Sequence, residues 1–144
     1  MVPGCVFCRL VQAPDEPVFQ DAETIAFLDH RPVFPGHTLV VPRAHHETLA
    51  DLPPELIGPF FRSVQLVAKA VEQAMGADGT FVALNNKVSQ SVPHLHVHVV
   101  PRKMKDGLRG FFWPRQKYES DDQVRAIARR IREAAARLQT AGPR

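Results

Sequence analysis

Ser91-Val92-Pro93-His94-Leu95-His96-Val97-His98-Val99-Val100-Pro101 is the stretch on which the fold turns. Imidazoles and aliphatic side chains alternate through it with period two, the period of a β-strand, and β-branched residues dominate its second half. The pattern predicts a strand over Leu95–Val100, ended by Pro101. Successive strand side chains point to opposite faces. His94, His96 and His98 therefore share one face at roughly 6.5–7 Å intervals, while Leu95, Val97 and Val99 share the other. A single buried histidine is commonly a satisfied core residue. Three in strict alternation on a half-buried face are costly to leave unpaired, which points to chemistry.

Working outward, short extended runs at Val18–Phe19, Thr24–Leu28, Thr38–Val41 and Thr80–Leu84 supply four more strands, bounded by Pro17, Gly36, Pro42 and the Asn85-Asn86 turn. Ile57, Phe60, Phe61, Val64, Val67, Ala68, Val71 and Met75 follow a helical period, with Gly76 as C-cap. Pro59 would interrupt a helix already under way, so the reading starts that helix near Pro59. Val124, Ile127, Ile131, Ala134 and Leu138 make one stripe of a last helix. Ser120 and Gln123 have capping-box spacing, and Arg125, Arg129, Arg130, Arg132 and Arg137 form a solvated face. Without regular β-α-β alternation a doubly wound sheet is disfavoured. The expected class is α+β: a mainly antiparallel five-stranded sheet, one long central helix and a C-terminal helix.

The chain has 144 residues, enough for one domain with one core, and the reading treats 1–144 as a single domain. A net charge of +3 is mild; it suits an anionic small molecule and does not argue for nucleic acid. No basic-then-apolar leader opens the chain and no apolar run approaches the ~18 residues a membrane span needs, so neither secretion nor a membrane is expected and the location is read as cytoplasmic. Its two cysteines, Cys5 and Cys8, are too close for a disulfide that closes a useful loop. Their Cys-x2-Cys spacing offers two thiolates to one metal, and a closed tetrahedral site needs two further ligands. A thioredoxin-like pair is disfavoured, since no strand precedes Cys5 and no obvious helix begins there.

Two chemistries fit the alternating histidines: ligation of a catalytic metal, or direct attack on phosphorus by a neutral imidazole with its neighbours stabilising charge. Spacing leaves both open, as it leaves open a binding module without turnover. Residues 94–100 also match, position by position, the His-φ-His-φ-His-φ-φ signature of the histidine-triad nucleotide-binding family, φ being apolar. Further segments resemble that family: Cys5-Val6-Phe7-Cys8, Ala26-Phe27-Leu28-Asp29, Gly36-His37-Thr38-Leu39-Val40-Val41-Pro42-Arg43-Ala44-His45, and Gln90-Ser91-Val92. The resemblance covers about residues 5–102 and leaves a segment and helix at 103–144.

The resemblance implies a homodimeric α+β domain of the bacterial zinc-containing type. Such an enzyme cleaves at the α-phosphate of a purine nucleotide through a nucleotidyl-histidine. Nucleoside phosphoramidates lead, with dinucleoside polyphosphates as the alternative. It makes His96 the nucleophile, gives His98 a contact to the phosphate, Asp29 the ribose hydroxyls, and Ser91 and Gln90 the phosphate or leaving group, with Asn85 lining the site. It names Cys5, Cys8, His45 and His94 as ligands of a structural zinc, with His46 adjacent to the third. The loop from Asn85 to Ser91 departs from the pattern, reading Asn86-Lys87-Val88-Ser89 where many members carry extra residues and glycines. The wide apolar arc of the central helix, with both Phe60 and Phe61, agrees with a dimer. Beyond the triad, the basic and aromatic run from Arg102 to Arg115 is expected to border the active site. Arg109 or Arg115 would reach outer phosphates and Trp113 would limit the leaving group.

Overall fold

The computed structural model describes residues 1–109 and 115–141. The chain runs as α1 (Val6–Gln12), β1 (Phe19–Gln20), β2 (Thr24–Leu28), β3 (Thr38–Pro42), a 3-10 turn (Leu49–Asp51), α2 (Pro54–Ala74), β4 (Gly79–Ala83), β5 (Val97–Arg102) and α3 (Asp121–Thr140). Its five strands pair antiparallel in the order β1-β2-β3-β5-β4. Residues 1–106 form one compact unit and 107–144 a second.

Alternation along the strands divides the core of the first unit between the two faces of its sheet. Ala26, Val40, Val97 and Val99 pack with Phe60, Val64, Val67 and Val71 of α2. Ile25, Phe27, Leu39 and Val41 point the other way and pack with Cys5, Phe7 and Cys8 at the start of α1. With both faces covered, β2 and β3 are buried almost throughout instead of alternating. The histidine face of β5 is thus the α1 face.

Several boundaries differ from the sequence reading, most of them by one residue, and three have a clear local reason. β5 begins at Val97, not Leu95, and continues past Pro101. Extending the β3–β5 register would set Pro42, which has no N–H, opposite Leu95; the Leu95 amide donates instead to the His46 carbonyl, 2.6 Å. At the other end the Arg102 carbonyl accepts from Asp78 N–H on the β4 side, 2.8 Å. That turns the Pro101 nitrogen toward the side where β3 has already ended, so the missing donor costs no rung. α2 starts at Pro54, with Pro59 inside it. The donor Pro59 lacks would have served Glu55, which lies in the exposed first turn within reach of water.

α1 corrects the reading that no helix begins near Cys5: Cys5 is its N-cap, and its Sγ accepts from the Cys8 amide at 3.4 Å. In the second unit, the Ser120 hydroxyl accepts from Gln123 N–H, 3.1 Å, and caps α3. The return arm of the expected box reaches Glu119 N–H instead. No described residue of α3 is buried. Gly110–Pro114, including Trp113, lie outside the described residues. No helix among the described residues is long and apolar enough to cross a membrane.

Candidate active site and metal centre

Each triad histidine is oriented by a backbone or side-chain partner that determines which nitrogen carries its proton. His94 is fully buried and its Nε2 lies 2.8 Å from the Pro42 carbonyl. A carbonyl only accepts, so Nε2 bears the hydrogen and Nδ1 is a lone pair. That Nδ1 is 3.5 Å from Cys5 Sγ and 3.7 Å from Cys8 Sγ, and Cys8 Sγ is 3.3 Å from His45 Nδ1. All four ligand atoms lie within 4.8 Å of one another. Zinc–sulfur and zinc–nitrogen bonds in a tetrahedron imply sulfur–nitrogen edges of about 3.5 Å. The set therefore fits a four-coordinate zinc in donor type and in spacing, and the His94–Pro42 bond is the kind of outer contact that fixes a ligating tautomer. His45, not His46, belongs to the group: the His46 carbonyl holds Leu95 and its buried Nε2 has no partner among the described residues. Burial raises the Cys5 thiol pKa and lowers that of His94.

His96 is 4% exposed. Its Nδ1 sits 2.7 Å from the His94 carbonyl, which again must accept. Nε2 is left as the lone pair of the neutral ring. The ring is wedged edge-on between Phe7 and His98, each with its ring centre 5.1 Å away.

His98 Nδ1 meets His37 Nε2 at 2.9 Å. Sequence reasoning quoted His37 but gave it no role. The signal was available in the register: Leu39 sits opposite His98, so His37, two residues back on the same face of the chain entering β3, is a diagonal neighbour. His37 is buried, its Nδ1 accepts from Val33 N–H at 3.0 Å, and Asp29 Oδ2 lies 3.6 Å from its Nε2. Burial lowers the pKa of His37 against the pull of Asp29. Burial, then the nearby His96 and His37 rings, push His98 down to about 4, so it is neutral at physiological pH.

The structure places the remaining expected residues unevenly. Asp29 follows the last residue of β2 and lies beside His37, and its Oδ1 accepts from Arg31 N–H at 2.8 Å. Both ends of the Gln90 amide brace loops: Oε1 accepts from Lys87 N–H and Nε2 donates to the Glu47 carbonyl. Asn85 donates to the Ser89 carbonyl at 3.2 Å. Ser91 is exposed and lines a cleft of about 340 Å³ with Cys5, His45 and Glu47. Among the described residues no hydrogen bond joins Ser91, Asn85 or Gln90 to His96 or His98. Arg102 is committed to Asp106 by two bonds of 2.6 and 2.9 Å, and Lys103 Nζ to the Gly76 carbonyl.

An antiparallel sheet carrying alternating histidines beside a Cys2His2 cluster defines a histidine-triad protein, and the HIT domain matches residues 11–105. The chain belongs to the HIT family. It is 32% identical over 108 residues to the adenylylsulfatase HINT3 of Arabidopsis thaliana, covering 72% of this chain and 55% of that protein. To the adenosine 5'-monophosphoramidase HNT1 of Saccharomyces cerevisiae it is 34% identical over 123 residues, covering 82% and 75%. The zinc-bound histidine triad family protein of Mycobacterium smegmatis superposes with a TM-score of 0.68 at 35% identity, covering 96% and 98% of the two chains.

Proposed function

We propose that this protein is a hydrolase or transferase that breaks a bond to the α-phosphorus of a purine nucleotide, of the nucleoside phosphoramidate type, with His96 as nucleophile. The 2.7 Å bond from His96 Nδ1–H to the His94 carbonyl carries the reading, because it leaves Nε2 as a lone pair on a ring that cannot turn away. In the first step the Nε2–phosphorus bond forms and the bond from phosphorus to the leaving amine or oxygen breaks, the departing group taking up a proton from solvent. In the second, water attacks phosphorus, the phosphorus–Nε2 bond breaks and the water proton passes to solvent. His98, uncharged and donating through Nε2–H, contacts the phosphate oxygens. Asp29 holds the ribose hydroxyls, and Ser91 bonds the phosphate or leaving group.

Cys5, Cys8, His45 and His94 would hold a zinc ion, which with four protein ligands has no open position and supplies rigidity rather than reactivity. The family relatives named above include an adenylylsulfatase and an adenosine 5'-monophosphoramidase, which supports the nucleotidyl half as the shared part and the leaving group as the variable one. The working form is a homodimer. Ile57 and Leu66 of α2 and Val82 of the edge strand β4 are exposed apolar groups that a second copy would cover.

Adenosine phosphoramidate carrying labelled α-phosphate tests the reading. The wild-type chain should take label on His96 on rapid acid quench, and His96→Ala should lose several orders of magnitude in kcat while still binding the mononucleotide. A His96→Gly variant of full activity would end the proposal. A monomeric mass at micromolar concentration would remove the dimer.

A further inference from the structure

We infer that His37 is a positioning residue, and that the backbone amide of Val33 fixes its tautomer and, through it, the tautomer of His98. This rests on the reading of His98 as the group facing the α-phosphate and adds how its donor is held there. A neutral imidazole has one N–H and one lone pair. Val33 N–H has only a proton to give, so His37 Nδ1 accepts, and the ring's proton sits on Nε2. That proton points at His98 Nδ1, 2.9 Å away, which must then be a lone pair. The proton of His98 is accordingly on Nε2, the nitrogen left for substrate. With the opposite tautomers His98 would present a lone pair to phosphate oxygens and repel them.

The loop that carries Val33 is built to keep that amide in place. Asp29 N–H donates to the His37 carbonyl at 2.9 Å and His37 N–H to the Phe34 carbonyl at 3.0 Å, so the segment closes on itself. Pro32 and Pro35 flank Val33-Phe34 and limit its backbone freedom. Gly36 reverses the chain at φ +96°, where a Cβ would stand 2.7 Å from Met75 Cγ. Asp29, His37 and His98 also lie close enough to resemble a two-histidine, one-carboxylate metal site. The Val33 amide decides against that use: while Nδ1 accepts from it, Nε2 of His37 has no lone pair to offer.

The test is the ring tautomer, read by nitrogen-15 chemical shifts in the full-length, zinc-loaded protein labelled at histidine. Wild type should have Nε2–H at both His37 and His98. Val33→Pro removes the amide proton and should move the His37 signals toward a mixture. His37→Leu should randomise His98 and lower kcat about 10- to 100-fold, the range for loss of an orienting partner, with KM for the nucleotide little changed. His37→Gln places an acceptor and an N–H donor where the ring had them; it should restore the His98 tautomer and most of kcat. An Nδ1–H tautomer at wild-type His98, or a glutamine variant no better than leucine, overturns the inference. The tautomer readings need no turnover. They stand apart from the labelling of His96, which tests the nucleophile alone.

Discussion

The two clusters flanking His96 each bring a triad histidine on the same sheet face against a second histidine, yet one is arranged for a metal and the other for protons. In the first, His94 spends its N–H on the Pro42 carbonyl and turns a lone pair toward two thiols, one of which also meets His45. In the second, His37 spends its lone pair on the Val33 amide and turns an N–H toward His98. One backbone oxygen and one backbone N–H make the difference. Residue type and proximity alone do not separate the two, since both groups pass as ligand sets by distance. What the other nitrogen of each ring is bonded to does separate them.

Removing a ligand from the first cluster should have the largest effect on stability. Cys8→Ser should abolish the single tightly held zinc expected per chain, and the melting temperature should fall by more than about 10 °C without loss of the fold at room temperature. Asp29→Asn, on the second cluster, should leave the metal content at one. A purified wild-type chain with less than a tenth of an equivalent, stable in chelator, would erase the distinction. Gly36→Ala comes next. Its side chain enters the space of Met75 from a left-handed backbone, and the strain should cost about 1–3 kcal/mol in chemical denaturation. It should also disturb the His37 signals and spare the zinc.

A smaller effect sharpens the comparison through pH. Because burial and two neighbouring rings lower the His98 pKa to about 4, the folded state refuses a proton that the unfolded chain accepts near 6.5. The stability this group confers is complete above pH 6.5 and declines as pH falls toward 4. Nuclear magnetic resonance titration should find the His98 ring neutral at pH 5.5; a midpoint near 6.5 would contradict the burial argument. The smallest expected change is in the loop after β4. Lys87 and Ser89 hold φ +69° and +60°, the left-handed region in which a side chain is strained. Ser89→Gly should stabilise by about 1 kcal/mol or less, read from the denaturation midpoint.

Most of the sheet was legible because short β-branched or apolar runs lie between turn residues, Gly36 and Pro42 around β3 and Asn85-Asn86 after β4. The ends of β5 were not, since they depend on which partner strand has run out beside Leu95 and Pro101, a fact of register rather than of propensity. α1 was missed because its seven residues are too few to display a helical period, and its cap is a thiol rather than the hydroxyl or carboxylate that usually signals a helix start. His94, His45 and the cysteines converge as the spacing and resemblance implied. His37 escaped because its role comes from a main-chain amide four residues earlier, and backbone donors leave no mark in a sequence. Gln90 and Asn85 sit in a shortened loop whose own backbone needs their amides.

Cys5 and His94 stand 89 positions apart along the chain and 3.5 Å apart in space. Between them lie α1, every strand but β5, and α2, so β5 is the last strand synthesised and must slip between β3 and β4, both already made. Closing a loop of that length costs conformational entropy that nearest-neighbour contacts do not repay until the strand is seated, which makes insertion of β5 the natural slow step of refolding. An ion captured early by the thiols on the first turn of α1 would tether the far end of the chain as it arrived and turn a long search into a local one.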